Sequence, residues 1–290
     1  MFNEIVLSQA ANGIVLGFLY VLIAAGLSIT FGLLGVINFA HGAFFALGAY
    51  FGLMLYQWFG WAAVPLAPIL VAVVGMFVEV ILVRRLYGKE PLLSLIVTFA
   101  LALLIEAIIR FIWGADGKPF GAPAFLSGVF EFGPLLMTSY RVAVLVATAV
   151  TLAILWAFLA FTPYGRILRA GSRDPEMVEM LGIRLPRVMT GVFGLGCGLA
   201  AIAGVLAGPL WNVSPSMSAS AVMPAFVIVT IGGLGSLRGA TIAGLLVGVV
   251  TTLTIQFYPH AAGAAMYVFM FLILLLRPRG LLGERWERFE

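Results

Sequence analysis

Long apolar runs separated by short polar breaks recur along the whole chain. Nine such segments are read at roughly 5–33, 39–58, 61–83, 92–113, 141–162, 188–211, 222–235, 239–257 and 263–277. Most approach the ~20 residues that a helix needs to cross a hydrocarbon core. The pattern therefore predicts an all-α fold, a polytopic transmembrane helical bundle of about 8–10 membrane segments, organised as one domain over 1–290. The first segment is long enough to tilt or to follow an interfacial turn. The seventh, about 14 residues long, is short for a crossing. It reads as part of a broken helix or as a re-entrant piece buried by protein, where irregular backbone survives at depth.

Composition narrows the class. Of 290 residues, 63% are hydrophobic and 10% charged, against about 25% charged in soluble domains, and the mean hydropathy is +1.14. A soluble enzyme, a nucleic-acid binder, a secreted disulfide scaffold and a disordered chain are excluded, and the expected surroundings are a lipid bilayer. Cys197 is alone in the sequence and reads as a small packed hydrophobe. Met1 to Gly13 carry no Lys or Arg; a secretory signal needs a basic start, so the first helix is expected to be retained.

Charge position says more than charge content. With the N-terminus outside, thirteen cations fall on the inner side (Arg84, Arg85, Lys89, Arg166, Arg169, Arg173, Arg184, Arg187, Arg238, Arg277, Arg279, Arg285 and Arg288) and three on the outer (Arg110, Lys118 and Arg141). That bias predicts a cytoplasmic C-terminus, with 278–290 as a cytoplasmic tail. The outer connection 114–140 is long enough to dock or cap. The inner connection 163–187 is the longest polar stretch between spans and holds five of the cations. Within it Asp174 is placed to cap a short helix with Pro175 at its first position and Glu176 in its first turn. Gly182 is placed to stop that helix, and Pro186 prevents its continuation.

Small residues mark packing faces. Gly196, Ala200, Gly204 and Gly208 form one ridge of the sixth segment, and Gly194 and Gly198 a second; Gly239, Ala243 or Gly244, and Gly248 repeat the device later. Such ridges let helices approach closely in lipid. Thr30, Gly32, Leu34, Gly35 and Gly48 recur at a constant offset as Thr230, Gly232, Leu234, Gly235 and Gly248, a faint internal echo that carries no fold assignment.

Polar residues within spans are the candidate path residues. Asn38 and His41, followed by Gly42, open the second segment near its inner end, where they either line a path or cap and edge the helix. Glu106 and Arg110 are four apart on the fourth segment and either pair with each other or meet a zwitterion. Asn212 and Ser214 lie at the outer end of the sixth, as caps or as vestibule lining. No phosphate loop follows either lysine, no nucleophile elbow is present, and His41 and His260 cannot form a zinc-binding helix motif. No catalytic residues, metal site or bound cofactor are expected of this chain, and energy for uphill movement would come from another subunit.

Gly32 to Tyr50 (GLLGVINFAHGAFFALGAY) and Ile231 to Gly248 (IGGLGSLRGATIAGLLVG) resemble the LivH-type permease subunits of ATP-binding-cassette importers for branched-chain amino acids. The resemblance continues through Arg169 to Ile183 (RAGSRDPEMVEMLGI) and covers nearly the whole chain. It implies an importer-permease fold, a second LivM-like permease subunit, two cytoplasmic ATPases that bind ATP and Mg, and a periplasmic solute-binding protein, with no nucleic acid. It also implies that 163–187 is the coupling loop, with Arg169, Asp174, Glu176 and Gly182 carried over, in a bacterial inner membrane. Asn38, His41 and Gly42 would lie at the inner end of the path. Two departures stand out: Val178-Glu179-Met180 replaces the Glu-Ala-Ala of other importer classes, and Pro224 stands where a basic residue is expected, so that the seventh helix should be broken there. The alternative substrates are urea, short amides, or a sugar or nucleoside.

Overall fold

The computed structural model describes residues 2–132 and 135–283; the tail cations Arg285 and Arg288 lie outside the described residues. In chain order the helices are α1 (Phe2–Leu34), α2 (His41–Phe59), α3 (Leu66–Ile81), α4 (Pro91–Trp113), α5 (Ser139–Phe161), α6 (Pro163–Arg173), α7 (Pro175–Met180), α8 (Leu185–Ala207), α9 (Met217–Gly232), α10 (Leu237–Phe257) and α11 (Ala262–Leu276). Seven of the described helices are long and apolar enough to cross a membrane, and α9 and α11 are shorter apolar helices. These nine match the nine apolar segments.

Close backbone approach holds the centre together. The α1–α10 seam is built on glycine: a Cβ at Gly17 would come 2.9 Å from the Gly244 carbonyl oxygen, and one at Gly248 would overlap the Gly13 carbonyl. The first ridge of α8 meets three neighbours. Gly196 faces Gly26 of α1, Gly204 faces the Phe45 carbonyl and the Ala49 nitrogen of α2, and Gly208 faces the Phe120 ring of the outer connection, while Ala200 is fully buried. The second ridge packs on α3, with a Cβ at Gly194 falling 3.1 Å from the Ala72 carbonyl oxygen. In lipid, where apolar burial gives no net drive between helices, this closeness supplies the dispersion contacts that hold them.

The internal echo has a local counterpart. Gly35 (φ +64°) directly follows α1, whereas Gly235 (φ +81°) lies in the turn just before α10, so both echoed glycines occupy left-handed turn positions.

Three features depart from the sequence expectation. The connection 163–187 holds two helices, because Thr162 caps α6 by accepting from the Gly165 N–H at 3.2 Å. Leu168 then buries against Leu33 and Val192, an apolar stripe hidden among arginines and glycines. The outer connection folds a two-stranded antiparallel hairpin, β1 (Val129–Phe132) with β2 (Leu135–Thr138), pairing Val129 with Thr138. Lastly, α9 begins at Met217 and runs through Pro224 rather than breaking there. Proline forfeits one ladder bond, which protein-buried membrane helices tolerate.

Beyond α11 the chain returns to cover the end of α9. The Leu281 N–H donates to the Ile231 carbonyl at 2.7 Å and the Leu282 N–H to that of Gly232 at 3.0 Å, satisfying acceptors that a helix C-terminus otherwise leaves open.

Candidate translocation path and docking helix

The connection between α1 and α2 does not stay at the end of α1. The His41 Nε2–H donates to the Ile23 carbonyl at 3.1 Å. Ile23 lies eleven residues before Leu34, about 16 Å back along a helix at 1.5 Å per residue. Residues 35–40 therefore climb back beside α1, and α2 starts inside the bundle. Thr98 of α4 pins this segment: its hydroxyl lies 2.9 Å from the Ile37 carbonyl and accepts from the Phe39 N–H at 3.1 Å. The α9 N-terminus reaches the same depth, for Gly42 is packed on the Ser218 carbonyl and a Cβ there would sit 2.8 Å from that of Val222.

Asn38, His41 and Gly42 thus lie beside the middle of α1 rather than beyond its end. Sequence spacing cannot reveal a connection that doubles back. Asn38 and His41 are fully buried, and both polar atoms of the Asn38 amide, together with His41 Nδ1, have no hydrogen-bond partner. Buried polar groups are ordinarily satisfied, and leaving one unpaired costs about 1–3 kcal/mol. A polar node whose Asn38 amide and His41 Nδ1 lack protein partners among the described residues thus lies where two helices begin.

The other path candidates lie apart. Arg110 donates to Glu106 Oε1 at 2.7 Å through Nη2 and 3.2 Å through Nε, within one face of α4. Asn212 is exposed in the segment between α8 and α9, and the neighbouring Ser214 hydroxyl lies 3.0 Å from that of Ser216. Next to Asn212, Val213 forms an antiparallel bridge with Lys118 (2.7 and 2.9 Å), tying the outer connection to the end of α8. No hydrogen bond among the described residues links these groups to Asn38 or His41.

The inner connection presents a compact projection. Asp174 Oδ1 accepts from the Met177 N–H at 2.9 Å, capping α7, and Gly182 (φ +79°) turns the chain after it. Arg169 donates to the Leu159 carbonyl, tying α6 back to α5. Val178 anchors α7 from within, whereas Met180 and Leu181 are 75% and 72% exposed, Met177 is exposed beside them, and Glu176 and Glu179 face outward. Exposed apolar groups clustered beside charge are the mark of an interaction surface. Their sequence signal is the run from Met177 to Leu181, four apolar residues in five within a polar connection.

A second cluster lies at the α3–α4 connection. Glu79 near the end of α3 is fully buried. Arg84 donates to both its oxygens, at 3.2 Å through Nε and 3.1 Å through Nη2, and Tyr87 donates to Oε1 at 2.7 Å. Arg84 Nη2 also donates to the Thr190 hydroxyl of α8 at 2.6 Å. Burial, with the bond to Glu79, pushes the Tyr87 phenol well above its ordinary range, so it remains a donor. The cluster fastens the α3–α4 connection to the first turns of α8, which follow α7 in the chain.

Comparison with known proteins agrees with this architecture. Residues 9–277 match the family described as branched-chain amino acid transport system, permease component. The chain is 28% identical to the high-affinity branched-chain amino acid transport system permease protein LivH of Escherichia coli, covering 96% of each chain. It is 31% identical to BraD of Pseudomonas aeruginosa, a protein of the same description, again over 96% of each. The LivM permease protein of Escherichia coli is 28% identical over 92% of this chain and 68% of its own.

Proposed function

Because the chain belongs to the family of branched-chain amino acid transport system permease components, a multi-pass membrane family, we propose that it forms half of a path for branched-chain or related amino acids, beside a second, LivM-like permease. Two cytoplasmic ATPases would bind ATP and Mg and supply the energy, and a periplasmic binding protein would deliver the substrate. The thirteen-to-three distribution of cations supports an outer N-terminus and a cytoplasmic C-terminus. The path runs by the node of Asn38, His41 and Gly42.

The family match over residues 9–277 carries this reading. For coupling, the capped α7 supplies the contact surface, with Met177, Met180 and Leu181 seated on an ATPase and Arg169, Asp174, Glu176 and Gly182 holding the geometry. ATP binding would draw the ATPases together and shift α7, biasing the packing of the bundle between two states. Uptake of labelled leucine, urea and ribose in cells lacking their own systems tests the substrate class. Leucine uptake is expected, and uptake of urea alone would sink it.

Gly182→Leu tests the coupling surface. Space is free around Gly182, so the substitution acts through its left-handed backbone, at about 1–2 kcal/mol, and distorts the exit from α7. Membrane insertion should persist while uptake per ATP hydrolysed falls; unchanged uptake would count against α7 as the coupling element.

A further inference from the structure

A cavity of about 290 Å³ opens beside the 35–40 connection, close to the ~300 Å³ at which small-molecule sites begin. Its wall includes Leu27, Phe39, Phe226, Val229 and Thr230, with Leu234 among the lining residues, and the rest of the lining is aliphatic or aromatic. The aromatic side is fixed in place. Phe39 stacks on Phe226 at 4.4 Å between ring centroids and meets the edge of Phe99 at 6.3 Å, while Thr98 holds its backbone.

The single polar side chain in the wall is already engaged: the Thr230 hydroxyl donates to the Phe226 carbonyl at 2.7 Å within α9. Urea, a short amide or a sugar would lose water here and find almost nothing to replace it. A branched aliphatic group loses nothing polar on entry and gains contact on several sides. Asn38, between two wall residues in the chain, is the nearest residue in sequence with unpartnered polar atoms.

We propose that this cavity is the side-chain subsite for a branched aliphatic amino acid in transit, with Phe226 and Val229 setting its size limit. The inference rests on the amino-acid-permease reading and deepens it by naming the selecting residues.

The test uses the whole importer in proteoliposomes, with ATP and binding protein supplied. Wild-type uptake of leucine, but not of urea or ribose, checks the underlying reading by itself. Phe226→Ala is expected to raise the phenylalanine-to-leucine uptake ratio about tenfold, and Val229→Phe to lower the leucine-to-alanine ratio about tenfold, the discrimination that a small volume change in an apolar pocket provides. Leucine uptake by the wild type with both ratios unchanged in the variants would overturn the subsite and leave the permease reading standing.

A thiol readout covers variants that assemble poorly. Cys197 is the chain's one cysteine and is buried, so Thr230→Cys, at a half-buried position of the wall, offers a maleimide an almost clean target. Labelling slowed by leucine but not by urea supports the subsite. Labelling that leucine does not slow, or a thiol that never reacts, overturns it.

Discussion

Arg84→Ala is expected to cost about 3 kcal/mol of stability, the lower end of the ~3–5 kcal/mol seen when one partner of a buried ion pair is removed. The lower end applies because the Arg84 side chain is 38% exposed while that of Glu79 is fully buried. The substitution strands the Glu79 carboxylate with the Tyr87 hydroxyl as its remaining donor among the described residues and frees Thr190 of α8 from the α3–α4 connection. A fall in the melting temperature of the purified permease complex measures the loss. Glu79→Gln added to Arg84→Ala should recover more than half of it, since a neutral amide needs no counter-charge and still accepts from Tyr87. No recovery would mean that Arg84 stabilises by packing rather than by charge.

Gly204→Leu should be among the most damaging single substitutions in the membrane core. Ordinary overpacking costs about 1–3 kcal/mol because side chains shift; here the obstacle is the Phe45 carbonyl and the Ala49 nitrogen, both backbone. Relief requires α2 and α8 to separate, opening the seam above His41. Size-exclusion chromatography of the assembled complex should show little monodisperse material. Gly191→Leu in the same helix, where a Cβ meets nothing within 4 Å, should elute like the wild type. Equal yields from the two variants would contradict the described α2–α8 seam.

These two sites differ in how far they could be foreseen. Gly204 belongs to a four-residue small ridge, and periodicity alone marked it as a packing position. What the ridge could not say is that its members serve α1, α2 and the outer connection in turn, because a spacing names a helix face but not the neighbour. Glu79 and Arg84 were both visible, yet Arg84 counted only as an inner-side cation. Five residues separate them across the end of α3, and the pair forms because the chain beyond Ile81 tightens into 3₁₀ turns over Val83–Leu86. That change of helical geometry has no simple sequence mark.

The inner connection divides the same way. Asp174, Pro175 and Gly182 announced α7, since capping and left-handed termination are local backbone chemistry. The preceding α6 went unseen: its buried positions, Gly165, Leu168 and Gly171, include one large apolar residue, too little to separate a docked helix from a loop. The hairpin of the outer connection is a nearby pairing, Val129 with Thr138, which strands of four residues mark only weakly in the sequence.

By itself, then, the sequence determined the membrane class, the nine apolar helices and the cap and stop of α7. Each follows from burial in lipid or from interactions within a few residues, and both are written into local order. Only the tertiary structure decided the depth of Asn38 and His41, the wall around Phe39 and Phe226, and which neighbour each small ridge meets. Those depend on a connection doubling back along α1 and on helices distant in the chain meeting at one level, which short-range spacing does not encode.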